Sequence, residues 1–187
     1  MDRIRLVASD LDGTLLRPDE TVSERTRAAL ASAREAGITV VLVSGRPPRS
    51  IGPIAERARR AVGDDAVVTW AGLRLVELSA AGVTKAFALE RLCRHLGIAA
   101  GQVVAVGDMP NDLAMLDWAG TGVAVANAAP EVLEAADEVT AANTDDGVAL
   151  LLERILQANG LEPPSAAAGP LRPADSPVGS DRQGRSA

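Results

Sequence analysis

Short β-branched apolar runs alternate with stretches of helical period along most of this chain, and that alternation predicts its architecture. Residues 4–9 form the first such run, and residues 23–36 carry a helical spacing closed by Gly37. Residues 38–43 are nearly all apolar and rich in Val, the pattern of a strand covered on both faces. A helix is expected over 48–62, with Pro48 in its first turn, where a missing N–H costs nothing. Further strands are expected at 66–70, 73–78, 102–106 and 122–125. Further helices are expected at 85–96, from about Asn111, at 130–136 and at 146–158. Gly97 stands where a left-handed residue ends the 85–96 helix. The last helix is expected to turn Leu150, Leu151 and Ile155 inward. Strands alternating with helices predict an α/β fold, a Rossmann-like parallel sheet with right-handed crossovers.

From Glu162 the pattern stops. Five of the eleven prolines fall in the final 25 residues, among Ala, Gly, Ser and Asp. Such a segment buries too little apolar surface to offset its ordering entropy. The expected organisation is one core domain over 1–161 and a disordered tail over 162–187. Apolar residues make up 47% of the 187, enough for a real core, while aromatics are only 2% and tyrosine is absent. The core must therefore be built from Ala, Val and Leu, and base stacking on aromatic side chains is disfavoured. The net charge of −6 and the lack of a dense Lys/Arg block argue against a nucleic-acid partner. Cys93 is the sole cysteine, so no intrachain disulfide forms. No apolar run reaches the ~18 residues of a membrane span. The start Met1-Asp2-Arg3 lacks a signal-peptide pattern, so a cytoplasmic location is expected.

Candidate chemistry sits where the apolar runs end. Asp10-Leu11-Asp12-Gly13-Thr14 follows the first strand, and alternation turns the side chains of Asp10 and Asp12 the same way, with Leu11 facing the interior. Paired carboxylates there need a cation between them or a raised pKa on one; an acidic Asp-Gly turn is the competing reading. Ser44-Gly45-Arg46 ends a second strand and offers a hydroxyl and backbone N–H groups to an anion, or is a plain strand–helix turn. Lys85 is the only lysine among nineteen cationic side chains. It follows Thr84, a good N-cap, so its charge opposes the helix dipole at a cost of about 0.3–1 kcal/mol. A residue so rare and so placed points to a site. Gly107-Asp108-Met109-Pro110-Asn111-Asp112 follows a third apolar strand, putting Asp108 where it and the first two carboxylates converge on one hard cation such as magnesium. Asn111 and Asp112 either cap the next helix or hold the loop. Cys93, His95, Trp70 and Trp118 read as packing or surface residues, and Arg46 and Arg49 as either substrate contacts or solvated helix starts.

These four motifs, in this order, resemble the haloacid dehalogenase superfamily of phosphohydrolases, in particular its Cof-like sugar-phosphatase branch. The similarity extends to Val125-Ala126-Asn127-Ala128, Ala136-Asp137-Glu138-Val139-Thr140 and Asp146-Gly147-Val148, and covers about residues 4–156. The resemblance implies a magnesium-dependent hydrolysis of phosphate monoesters, sugar phosphates or similar small metabolites, through an aspartyl-phosphate. It implies Asp10 as nucleophile, Asp12 as general acid/base, and Ser44 and Lys85 as holders of the transferring phosphoryl. Gly45, Arg46 and Asn111 then belong to the substrate side. Magnesium would be held by Asp10, Asp108 and the backbone carbonyl of Asp12, with Asp112 in support.

One departure is large. Members of this branch carry a cap domain between the Ser-Gly-Arg motif and the lysine, whereas here only residues 47–84 lie between them. Ala71 and Ala86 also stand where relatives often have Asn and Gly. A capless core is expected, and with it an open cleft, to be covered either by a neighbouring subunit or by a substrate large enough to roof it; self-association through residues 70–78 is the expectation. Two further readings remain open: a cap-deleted remnant that binds phosphate or a partner without turnover, and a receiver-like phospho-acceptor domain, which leaves the Gly-Asp-x-x-Asn-Asp loop without a use.

Overall fold

The computed structural model describes residues 3–44, 67–70 and 84–163, with backbone only for 67–70. Gly45, Arg46, Arg49, the helix expected over 48–62, the strand expected at 73–78 and the segment beyond 163 lie outside these residues.

Six strands form one parallel sheet: β1 (Leu6–Asp10), β2 (Thr39–Ser44), β3 (Val67–Trp70), β4 (Val103–Gly107), β5 (Thr121–Val125) and β6 (Glu138–Thr140). Their order is β3-β2-β1-β4-β5-β6. The chain thus winds outward from β1 in one direction, then returns to β4 on its other side. That reversal opens a crevice at the carboxyl ends of β1 and β4, the place where doubly wound sheets bind ligands. Right-handed crossovers on either side of it put helices on both faces. Accordingly, α1 (Glu24–Glu35) packs on α5 (Gly147–Ala158), and α2 (Lys85–Leu96) packs on α3 (Leu113–Trp118). A short α4 (Pro130–Ala135) joins β5 to β6.

The strand interiors explain why sequence pattern was informative. Every residue of β1 and β4 is buried, and Leu6, Val7, Ala8, Val103, Ala105 and Val106 are fully so. Helix ends follow local chemistry. Ser23 caps α1 by accepting from the N–H of Thr26, and Thr84 caps α2 by accepting from that of Phe87. Gly37 (φ 76°) and Gly97 (φ 63°) supply the left-handed turns that end these two helices.

The differences from expectation are local. Several strands sit one or two residues later than their apolar runs, so Asp10 and Ser44 are themselves the last residues of β1 and β2. The helix expected from Asn111 begins as a 3₁₀ turn, Pro110–Asp112, before α3. On α5 the inner stripe is Val148, Leu151, Leu152, Ile155 and Leu156, while Leu150 is exposed. Three consecutive leucines cannot all face inward on a helix turning about 100° per residue. Strand β6 was not anticipated, because three residues with a single apolar side chain, Val139, carry no readable period.

Candidate active site

At the crevice, four charged side chains leave water together: Asp10, Lys85, Asp108 and Asp112, none more than 6% exposed. Asp10 arrives from the end of β1 and Asp108 from the residue after β4, strands that are hydrogen-bonded neighbours. Lys85 is the first residue of α2. Helical side chains lean toward the N-terminus, so its ammonium reaches back past the helix start. It donates to Asp10 Oδ1 at 2.6 Å and to Asp112 Oδ1 at 2.5 Å. The other oxygen of Asp112 accepts the N–H groups of Asp108 (3.0 Å) and Met109 (3.1 Å). Asp112 therefore holds the loop and the lysine, and makes no side-chain cap to α3.

Two residues not singled out from sequence tighten this arrangement. Thr14 donates its hydroxyl hydrogen to Asp108 Oδ1 at 2.9 Å. Gly13 (φ 81°) lies so close to Asp108 that a Cβ there would fall 2.2 Å from Oδ2. Both belong to the Asp-Leu-Asp-Gly-Thr motif, but the contact spans more than ninety residues and has no local signal. Ser44 is buried one residue beyond Val43, the partner of Asp10 in the β1–β2 register. Leu11 and Asp10 are both buried, whereas Asp12, expected on the same side as Asp10, is partly exposed. Asn111 is exposed in the 3₁₀ turn. Cys93 is a buried core residue of α2 and His95 is exposed on the same helix.

The electrostatics follow from crowding in low dielectric. Burial pushes the Asp10 carboxyl up to about 7; the Lys85 charge works against this, and Asp112 and Asp108 add to it. Burial likewise raises Asp108, against the hydrogen bond from Thr14. Burial acts to lower Lys85, yet Asp10 and Asp112 together hold it above its ordinary value. Oxygens of Asp10, Asp108 and Asp112 lie within 4.8 Å of one another. With all groups ionised, three carboxylates against one ammonium leave a deficit of two positive charges. An all-oxygen donor set with that deficit fits one hard divalent cation. Asp12 contributes no carboxylate oxygen to this cluster among the described residues.

The model of the haloacid dehalogenase-like hydrolases matches the chain in two segments, residues 7–62 and 52–152. The chain belongs to this family. Among curated relatives, the 5-amino-6-(5-phospho-D-ribitylamino)uracil phosphatase of Bacillus subtilis is 46% identical over 74 residues, 40% of this chain and 30% of that protein. The phosphoglycolate phosphatase of Methanothermobacter thermautotrophicus is 39% identical over 102 residues, 54% of this chain and 46% of that one. The chain thus spans less than half the length of these two relatives. Among solved structures, the cobalt-bound deoxy-D-mannose-octulosonate 8-phosphate phosphatase of Haemophilus influenzae aligns over 84% of this chain and 90% of its own. Its TM-score is 0.66, at 25% identity. The two chains thus share their fold over most of their length. Among the described residues no helix is long and apolar enough to cross a membrane.

Proposed function

We propose that this member of the haloacid dehalogenase-like hydrolases is a magnesium-dependent phosphatase of small phosphorylated metabolites, with Asp10 as its nucleophile. The observation that carries the reading is the buried Lys85–Asp10 pair at the β1/β4 crevice, flanked by Asp108. The relatives' names support the substrate class, since each names the phosphate ester of a small metabolite.

A carboxylate attacking a phosphate ester is anion meeting anion, so positive charge must be fixed beforehand. Lys85 supplies one unit, and Asp112 holds it in place by accepting from it and from two loop amides. A divalent cation held by Asp10, Asp108 and the Asp12 carbonyl would supply further charge and keep Asp10 ionised near neutral pH. An oxygen of Asp10 then bonds to phosphorus as the P–O bond to the alcohol breaks. Asp12 gives its proton to the departing alkoxide and later takes one from the water that hydrolyses the aspartyl-phosphate. Ser44, buried at the end of β2, would hold the transferring phosphoryl together with Lys85.

Hydrolysis of p-nitrophenyl phosphate with magnesium, its loss on chelation, and its loss in Asp10→Asn are the expected results. The substitution keeps the shape while removing nucleophile and metal ligand, so folding is retained and turnover falls on the order of 10³-fold or more. Near-normal hydrolysis by the Asn chain would refute the assignment.

A further inference from the structure

The segment Asp12–Arg17 leaves the crevice as an irregular loop, and its two sides are held by different means. On the inner side Thr14 and Gly13 meet Asp108. On the outer side the fixing points are two asparagines from distant loops. Asn127, just after β5, donates from Nδ2 to the carbonyl of Gly13 at 2.8 Å. Its Oδ1 accepts the backbone N–H of Asn143 at 2.9 Å. Asn143 in turn donates from Nδ2 to the carbonyl of Leu16 at 2.7 Å. The orientation of the Asn127 amide is set by its partners, because a carbonyl can only accept and an N–H can only donate. The N–H it satisfies belongs to the first residue of the 3₁₀ helix Asn143–Asp145, which has no partner within that helix.

We infer that Asn127 and Asn143 are positioning residues for catalysis: a two-asparagine clamp that fixes the Gly13 and Leu16 carbonyls, and through them the placement of Asp12 and Thr14. The inference rests on the phosphatase reading above. Neither side chain touches the Asp10–Lys85–Asp108 cluster, so the clamp acts through the loop. Its chemistry explains the residue type. One planar side chain must give a hydrogen to a carbonyl and receive one from an amide at once. Aspartate has no hydrogen to give, serine is too short to span both, and a hydrocarbon does neither. Both asparagines lie outside the packed core, and Asn127 is exposed, so replacing it leaves no cavity.

The test compares wild type, Asn127→Asp and Asn127→Ala for p-nitrophenyl phosphate turnover with magnesium, and for amide hydrogen exchange. The Asp variant keeps the acceptor and loses the donor; the Ala variant loses both without adding charge. Loop misplacement of an ångström can cost on the order of a hundredfold, so both variants should lose about tenfold or more in kcat, with KM within about threefold. Exchange should rise within residues 11–17 while β1 and β4 keep their protection. Exchange unchanged across 11–17, or increased exchange with kcat intact, would overturn the clamp while leaving the phosphatase reading standing. Loss in the Asp variant alone would assign the effect to charge and also overturn it. A wild-type chain without magnesium-dependent hydrolysis would instead overturn the phosphatase reading, and this inference with it.

Discussion

Two glycines with nearly the same φ allow the crowding around Asp108 to be measured. Gly13 (φ 81°) and Gly37 (φ 76°) both lie in the left-handed region, so alanine at either costs about 1–2 kcal/mol in backbone strain. At Gly37 an added Cβ meets nothing within 4 Å. At Gly13 it would stand 2.2 Å from Asp108 Oδ2 and 2.9 Å from its Cγ. The carboxylate must give way by roughly 1 Å to reach ordinary contact, and Asp108 is buried and bonded to Thr14. Losing that bond to a charged group costs about 1.5–3 kcal/mol. Gly13→Ala is therefore expected to destabilise by about 2.5–5 kcal/mol, and Gly37→Ala by about 1–2. In a domain of this size the gap corresponds to roughly 3–12 °C in Tm. Activity separates them further: Gly37→Ala should hydrolyse p-nitrophenyl phosphate as wild type does, while Gly13→Ala loses about a hundredfold or more as Asp108, proposed above to hold the cation, is displaced. Urea denaturation and initial rates on the two variants decide the matter. Equal stability and equal activity would show that the Gly13–Asp108 approach does not constrain the site.

The pH dependence should carry the signature of Asp10. Its folded-state pKa is raised from 3.8 to about 7, so between those values the folded chain binds more protons than the unfolded one. Stability from this group is then greatest at low pH and falls as pH rises through the window. Asp10→Asn should flatten that slope in metal-free protein, and magnesium should raise Tm more at about pH 8 than at about pH 5. An unchanged slope in the Asn chain, read by calorimetry, would contradict the burial assigned to Asp10. Asp146 (φ 61°) accepts from Arg17 at 2.7 Å and ties the far end of the loop after β1 to α5. Asp146→Ala should cost about 1–2 kcal/mol, in part because the ion pair is partly exposed, and Asp146→Asn less because Asn tolerates the left-handed backbone. Urea midpoints in the reverse order would refute this.

What the sequence made legible was whatever is written locally. Apolar strand interiors marked five of the six strands, and strand ends marked Asp10, Ser44 and Asp108. Thr84 marked the start of α2 and so the unusual place of Lys85. Contacts between distant segments were not legible. That Thr14 meets Asp108, and that Asn127 and Asn143 grip the loop between them, depends on β4 and β5 lying in order beside β1. Asp112 shows the same limit: its sequence position allowed either a helix cap or a loop anchor. Only the turn of Pro110–Asp112 decides for the anchor, by aiming Oδ2 at two N–H groups of its own loop. Leu150 failed for the opposite reason, because a run of apolar residues states that a face is buried without stating which.

The site's charge balance ties these pieces into one account. Asp10, Asp108 and Asp112 are packed around Lys85 at a depth where unpaired charge is costly. Such a cluster can relieve its deficit by taking a proton or by taking a cation, and these compete for Asp10, the carboxyl whose pKa burial lifts to about 7. A bound cation would favour the carboxylate form of Asp10, against the burial that favours its protonated form. Lys85 cannot do this alone, since Asp112 takes half of its attention. That second partner is nevertheless what keeps the ammonium in place: without it, a lysine at the first position of a helix would be repelled by the helix dipole and drawn to solvent. No acidic residue in the first turn of α2 cancels that dipole, so the helix start adds its own positive end to the crevice. On the proposed phosphatase reading, the same arrangement that makes Lys85 electrostatically awkward for its helix would serve a phosphoryl group once a cation offsets the carboxylates.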